Sequence, residues 1–62
     1  MCQSNAYVLK NGGRELFMED VGEVVPSEEG LTLVGMLGEE KFIKASIKKL
    51  ALTDHEIILE EE

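Results

Sequence analysis

The chain has one cysteine, one histidine, one proline and no tryptophan in 62 residues. A single cysteine excludes an internal disulfide, and a lone histidine excludes any site built on several imidazoles. No apolar run reaches the length needed to span a bilayer as a helix. The opening MCQSNAYVLKNGG has neither a positive leader nor an apolar stretch, so it predicts no secretory signal and a cytoplasmic location. In that compartment a thiol stays reduced. Basic residues are also scarce: 6 Lys+Arg stand against 13 Asp+Glu, a formal charge of −7. Such a balance opposes the phosphate neutralisation on which nucleic-acid affinity rests.

Length bounds the rest. Residues 1–62 make a single domain, and a domain this small buries only about 60% of its unfolded surface. Disulfides, a metal or a partner subunit are the usual remedies. With the first excluded, a metal and a homodimer become the expectations, two-fold pairing being the commonest assembly.

Short alternating runs predict an all-β chain. Asn5–Leu9 reads as a strand, followed by Lys10-Asn11-Gly12-Gly13, a hairpin signal because Asn and Gly tolerate positive φ. Arg14–Met18 returns, Glu19-Asp20 predicts a turn, and Val21–Val25 predicts a further strand closed by Pro26. Ser27–Gly30 is a polar loop. Leu31–Leu37 reads as the central strand, with Gly35 marking a bulge or bend. Gly38-Glu39-Glu40 turns the chain into a strand at Lys41–Ala45. Ile47, Leu50 and Ala51 have helical spacing, but the segment is too short for an independent helix, so Ser46–Leu50 predicts a 3₁₀ turn. The chain turns at Asp54-His55 into Ile57-Ile58-Leu59, and residues 60–62 predict a frayed acidic tail. Five to six short strands imply a small SH3-like antiparallel barrel, in which closure hides sheet edges.

Cys2 is the prime candidate for chemistry. Removal of Met1 would leave an α-amine and a thiol on one residue, able to hold a metal as a five-membered chelate. Both groups lose protons readily to a competing metal. The backbone amide of Gln3 could add a third donor. Two such residues across a dimer axis would offer two nitrogens and two sulfurs, a set that suits tetragonal Ni(II). Zn(II) prefers a tetrahedron, and copper as Cu(I) is satisfied by thiolates. Against this stands a plain reading of Cys2 as a small hydrophobe near the first strand. His55 is a second candidate ligand or simply a solvated turn residue. The carboxylates fall in predicted turns with no spacing that marks a catalytic pair, so no enzyme is expected. Small barrels also serve as RNA-binding or protein-interaction modules. Lys41, Lys44, Lys48 and Lys49 cluster, but only Tyr7, Phe17 and Phe42 could stack on bases, and Phe42 reads as core.

The start Met1-Cys2-Gln3-Ser4-Asn5-Ala6-Tyr7, the stretch Met18-Glu19-Asp20-Val21 and the ending Leu52-Thr53-Asp54-His55-Glu56-Ile57-Ile58-Leu59 resemble the CooT-like family of small proteins. The resemblance spans almost the whole chain. It implies an SH3-like barrel that dimerises and binds Ni(II), with a role as nickel chaperone. The founding member assists nickel delivery to carbon monoxide dehydrogenase, which makes that enzyme the implied client. The family ties nickel binding to the cysteine after the initiator Met, here Cys2, and implies nothing for His55. Family members have also been labelled RNA-binding.

Overall fold

A computed structural model describes residues 3–62. Its six strands are β1 (Ser4–Lys10), β2 (Gly13–Pro26), β3 (Leu31–Gly35), β4 (Glu40–Ile43), β5 (Ala45–Ala51) and β6 (Glu56–Glu61). They form one sheet in the order β4-β3-β2-β1-β6-β5. Among the described residues there is no helix. The all-β expectation therefore stands, with one departure from a purely antiparallel barrel: β1 and β6 run parallel, Asn5 opposite Glu56 through Val8 opposite Leu59.

Local chemistry explains the first hairpin. Asn11 (φ 49°) and Gly12 (φ 81°) both take positive φ, as a two-residue type I′ turn requires, and the twist of that turn matches that of the flanking strands. The predicted turn at Glu19-Asp20 is absent. β2 instead runs unbroken for 14 residues, and Asp20 takes φ 55° inside a bulge between the pairs Ser4–Val21 and Ala6–Met18. Asp tolerates the left-handed region almost as well in a bulge as in a turn, so the residue type signalled the kink but not its kind. Phe17 and Gly22 are further unpaired residues along β2. These bends let the first half of β2 pair with β1 and its second half with β3.

Curvature also has a covalent cause. β4 and β5 are opposite edges of the sheet, yet only Lys44 separates them in sequence. The sheet must curl until its edges nearly meet, giving a half-barrel. Alternate side chains then converge on a core of Ala6, Val8, Met18, Val21, Leu31, Leu33, Ile43, Ala45, Ile57 and Leu59. Phe17 and Val24 pack against it. No polar or charged side chain is buried among the described residues, so the core needs no internal hydrogen bonds.

Three further expectations are corrected. Ser46–Leu50 belongs to strand β5 rather than a 3₁₀ turn. Its helix-like spacing has a β origin: Lys48 bulges between the pairs Ile47–Leu59 and Lys49–Ile58. One extra residue puts Ile47 and Leu50, three apart, on the same face. The tail at 60–62 is not frayed, because Glu60 and Glu61 pair with Ser46 and Ala45 and the Glu62 N–H donates to the Lys44 carbonyl. Phe42 is 54% exposed rather than core. In addition β3 stops at Gly35 instead of Leu37, and the following turn occupies residues 36–39.

Gly30 abuts the Lys44 corner so closely that a Cβ there would overlap the Ile43 carbonyl oxygen. Backbone cannot yield as a side-chain tip can. Gly30→Ala is expected to lower unfolding stability by about 1–3 kcal/mol, the usual cost of overpacking. Urea denaturation checks this, and an unchanged midpoint would show that the corner relaxes freely.

Candidate functional site

Cys2, the leading candidate ligand, lies outside the described residues. The described residues begin at Gln3. Gln3 is exposed and leads directly into β1. Asn5 then acts as a junction between distant segments. Its N–H donates to the His55 carbonyl at 2.9 Å. Its side-chain oxygen accepts from the Asp20 N–H at 3.2 Å. The Asp20 carbonyl in turn accepts from the Met36 N–H at 3.1 Å. A belt of hydrogen bonds therefore joins the β5–β6 turn, the start of β1, the β2 bulge and the β3–β4 turn.

The parallel pairing of β1 with β6 builds this belt. It seats the turn of residues 52–55 beside the start of β1, closed by the His55 N–H donating to Leu52 at 3.4 Å. His55 has φ 56°, a conformation in which His is enriched among non-glycine residues. Two sequence candidates, Gln3 and His55, are thus brought to one end of β1. The sequence reading missed Asn5 and Met36. Asn at the head of a strand is a recognisable local-bonding signal, but its partners lie far along the chain. Met36 is exposed and carries a soft thioether. No three His, Cys, Asp or Glu residues gather into a metal-holding group among the described residues.

An ion pair secures the β6 side of this end. The Arg14 Nη1 and Nη2 atoms donate to Glu56 Oε1 and Oε2 at 2.8 and 3.0 Å. This two-pronged geometry is the strong form of the contact. The guanidinium also lies 4.4 Å from the centre of the Tyr7 ring. Arg14 on β2 therefore reaches across β1 to hold β6. The hydrogen bond from Arg14 keeps the Glu56 carboxyl below its ordinary value of 4.5, outweighing the opposing effect of desolvation. The same bond raises the Arg14 guanidinium.

Elsewhere, a cleft of about 390 Å³ opens between β2 and the Lys44 corner, lined in part by Leu16, Phe17, Phe42 and Lys44. Its ionisable lining residues are Lys10, Glu15, Lys44 and Glu61, with the Lys10 Nζ 3.8 Å from Glu15 and 4.0 Å from Glu61. Lys41 is engaged within the fold, its Nζ donating to the Phe17 carbonyl at 2.9 Å and lying 4.6 Å from that ring's centre. No helix among the described residues is long and apolar enough to cross a membrane.

A family model described as CooT, CO dehydrogenase accessory protein, matches residues 1–60. A crystal structure assigned to CooT from Carboxydothermus hydrogenoformans superposes with a TM-score of 0.91. Its sequence is 46% identical over 98% of both chains. No curated protein matches.

Because the Glu56 carboxyl sits low in the folded state, its pairing stabilises the fold above the ordinary carboxylate range. That contribution fades as pH falls through the lowered value. Arg14→Met is expected to destabilise the protein at neutral pH, with the deficit relative to the parent narrowing in acid. Urea denaturation from pH 7 to pH 3 is the measurement. A deficit that stays constant would assign the loss to the Tyr7 stack instead of the ion pair.

Proposed function

The chain belongs to the CooT family of CO dehydrogenase accessory proteins, and from that premise we propose that it is a non-enzymatic nickel carrier acting as a homodimer through Cys2. In this reading the thiolate and, once Met1 is removed, the α-amine of Cys2 grip Ni(II), with the Gln3 backbone amide as a further donor. Ni(II) is cargo, passed to a client of the CO dehydrogenase class in the cytoplasm. The family's accessory role in CO dehydrogenase maturation supports the choice of metal.

The observation that carries the assignment is the placement of the chain's one cysteine. Cys2 stands three residues before Asn5, whose backbone is bonded to His55 and whose side chain is bonded to Asp20. Only Gln3 and Ser4 lie between it and that belt in the sequence. A fixed platform lowers the entropic cost of holding a chelating terminus in one geometry. His55, whose backbone is bonded to Asn5, is the auxiliary ligand in this reading.

Apolar residues at the same end support pairing of two chains. Leu52, in the His55 turn, is 77% exposed, and Leu37, next to Met36, is 94% exposed. They flank the segment that leads to Cys2. A two-fold contact that covered them would bring two termini together and let the cysteines share one ion as two nitrogens and two sulfurs. Such a contact would also relieve the shortage of buried surface that a 62-residue chain faces.

Cys2→Ser is expected to abolish the thiolate-to-nickel charge-transfer absorption and to weaken Ni(II) binding by at least about 100-fold, the order of loss when a metal ligand or its support is removed. Equal affinity for the variant, by calorimetry on protein with a free N-terminus, overturns the assignment. Leu37→Glu combined with Leu52→Glu is expected to halve the mass seen by sedimentation and to convert binding from one Ni(II) per two chains to a weaker site on each chain. A dimer that survives both changes would place the two-fold contact elsewhere.

A further inference from the structure

Charge is unevenly distributed along this acidic chain. Between positions 41 and 53 lie Lys41, Lys44, Lys48 and Lys49, four of the six basic residues, and none of the 13 acidic ones. The fold turns this stretch into β4, the Lys44 corner and β5, which are the two edges of the sheet and the link between them. Lys41 is occupied by Phe17, and Lys48 approaches Glu60 only at 3.9 Å. Lys44 and Lys49 have no carboxylate within ion-pairing distance among the described residues.

β5 is the longer edge, a seven-residue strand of which all but Lys48 pair with β6 on one side and which pairs with no strand on the other among the described residues. Its bulge sets Ile47 and Leu50 on the core-facing side, opposite Leu59 and Ile57. They are nevertheless 42% and 52% exposed. Among the described residues no further strand lies beyond β5 to cover them. Lys49, opposite Ile58, belongs to the other face. An unpaired edge of this kind offers free backbone donors and acceptors, apolar shelf on one face and positive charge on the other.

We propose that the β5 edge is a docking surface for an extended acidic segment of a partner protein, added as a seventh strand. Its apolar residues cover Ile47 and Leu50, and its alternating carboxylates face Lys49 and flank Lys44 and Lys48. Main-chain hydrogen bonds supply affinity and the alternate side chains supply choice, as in other cases of strand addition. The same lysines work against a second copy of this chain, since antiparallel pairing of β5 with itself would oppose like charges across the new ladder. They also work against aggregation at an edge that would otherwise be sticky. The proposal uses β5 and the Lys44 corner and neither Cys2 nor His55, so it stands or falls independently of nickel binding.

The test uses the ¹⁵N-labelled full chain and three probes: a capped octapeptide alternating valine with glutamate, its valine–lysine counterpart, and an oligouridine of eight nucleotides. The glutamate peptide is expected to shift amides of residues 45–51, and Lys48→Glu with Lys49→Glu to weaken it about tenfold or more. Raising salt from about 50 to about 500 mM should weaken it likewise, because exposed charges are then screened. If the double variant loses amide dispersion, K49Q in the same titration carries the comparison, with a weakening in the same direction expected. The proposal is overturned if both peptides bind alike, if the shifts fall away from β5, or if oligouridine moves the same amides more tightly. Shifts of β5 amides with protein concentration alone overturn it too, since the occupant would then be a second copy.

Discussion

The structure depends on the parallel pairing of β1 with β6. Without it the chain would form two separate pieces, a β1–β4 meander and a β5–β6 hairpin, each with a bare apolar face. Joining them makes six strands continuous and lets Ala6 and Val8 share a face with Ile57 and Leu59. Leu33 and Leu59, contributed by the two pieces, are the largest side chains wholly removed from water among the described residues. Burying each is worth about 1.5–3 kcal/mol. The partners in this pairing come from opposite ends of the chain, so the contact must repay a large loop-closure entropy before the core can form. The covalent corner at Lys44 and the Arg14–Glu56 clamp both act on strands adjoining this junction.

The same pairing produces the candidate site. A parallel partner starts where β1 starts, so the turn that precedes β6 sits beside the head of β1. An antiparallel β6 would have presented its far end there and carried His55 away. The belt from His55 through Asn5 and Asp20 to Met36 is therefore a consequence of topology, and the metal-binding reading inherits its platform from a fold-level constraint.

Much of this fold was legible in the sequence, and what was not has physical reasons. Asn11-Gly12 announced the hairpin because few residues other than Asn and Gly accept two successive positive φ values. Pro26 marked the end of β2, whereas Gly35, read as a bulge or bend within a strand reaching Leu37, is where β3 stops. Asp20 and Lys48 misled because a bulge and a turn use the same local conformations, and because one inserted residue converts a period of two into an apparent helical spacing. Phe42 misled because an alternating pattern tells which residues share a face but not how far the sheet extends over them. The parallel β1–β6 pair could not be read at all, since nothing in either segment encodes strand direction. Cys2 stood out by position alone, while Asn5 and Met36 did not, because their importance lies in backbone bonds to residues distant in sequence.

Two ends of the molecule carry different chemistry, and the smallness of the chain explains why they can. A closed barrel of this size would have neither edges nor free turns to spare. Here the sheet stops short of closure, since one residue at Lys44 bridges its edges at a corner while β5 runs on unpaired. The open seam leaves Ile47 and Leu50 half in water at a stability cost. The acidic residues elsewhere confer solubility and favour approach of cations, but on the seam they would repel an acidic strand and neutralise the lysines. Grouping Lys41, Lys44, Lys48 and Lys49 on β4, the corner and β5 resolves that conflict. On the proposed reading, a carrier needs both a place to hold its ion and a surface by which to meet a partner. Separating these by charge lets one small domain provide both without either interfering with the other.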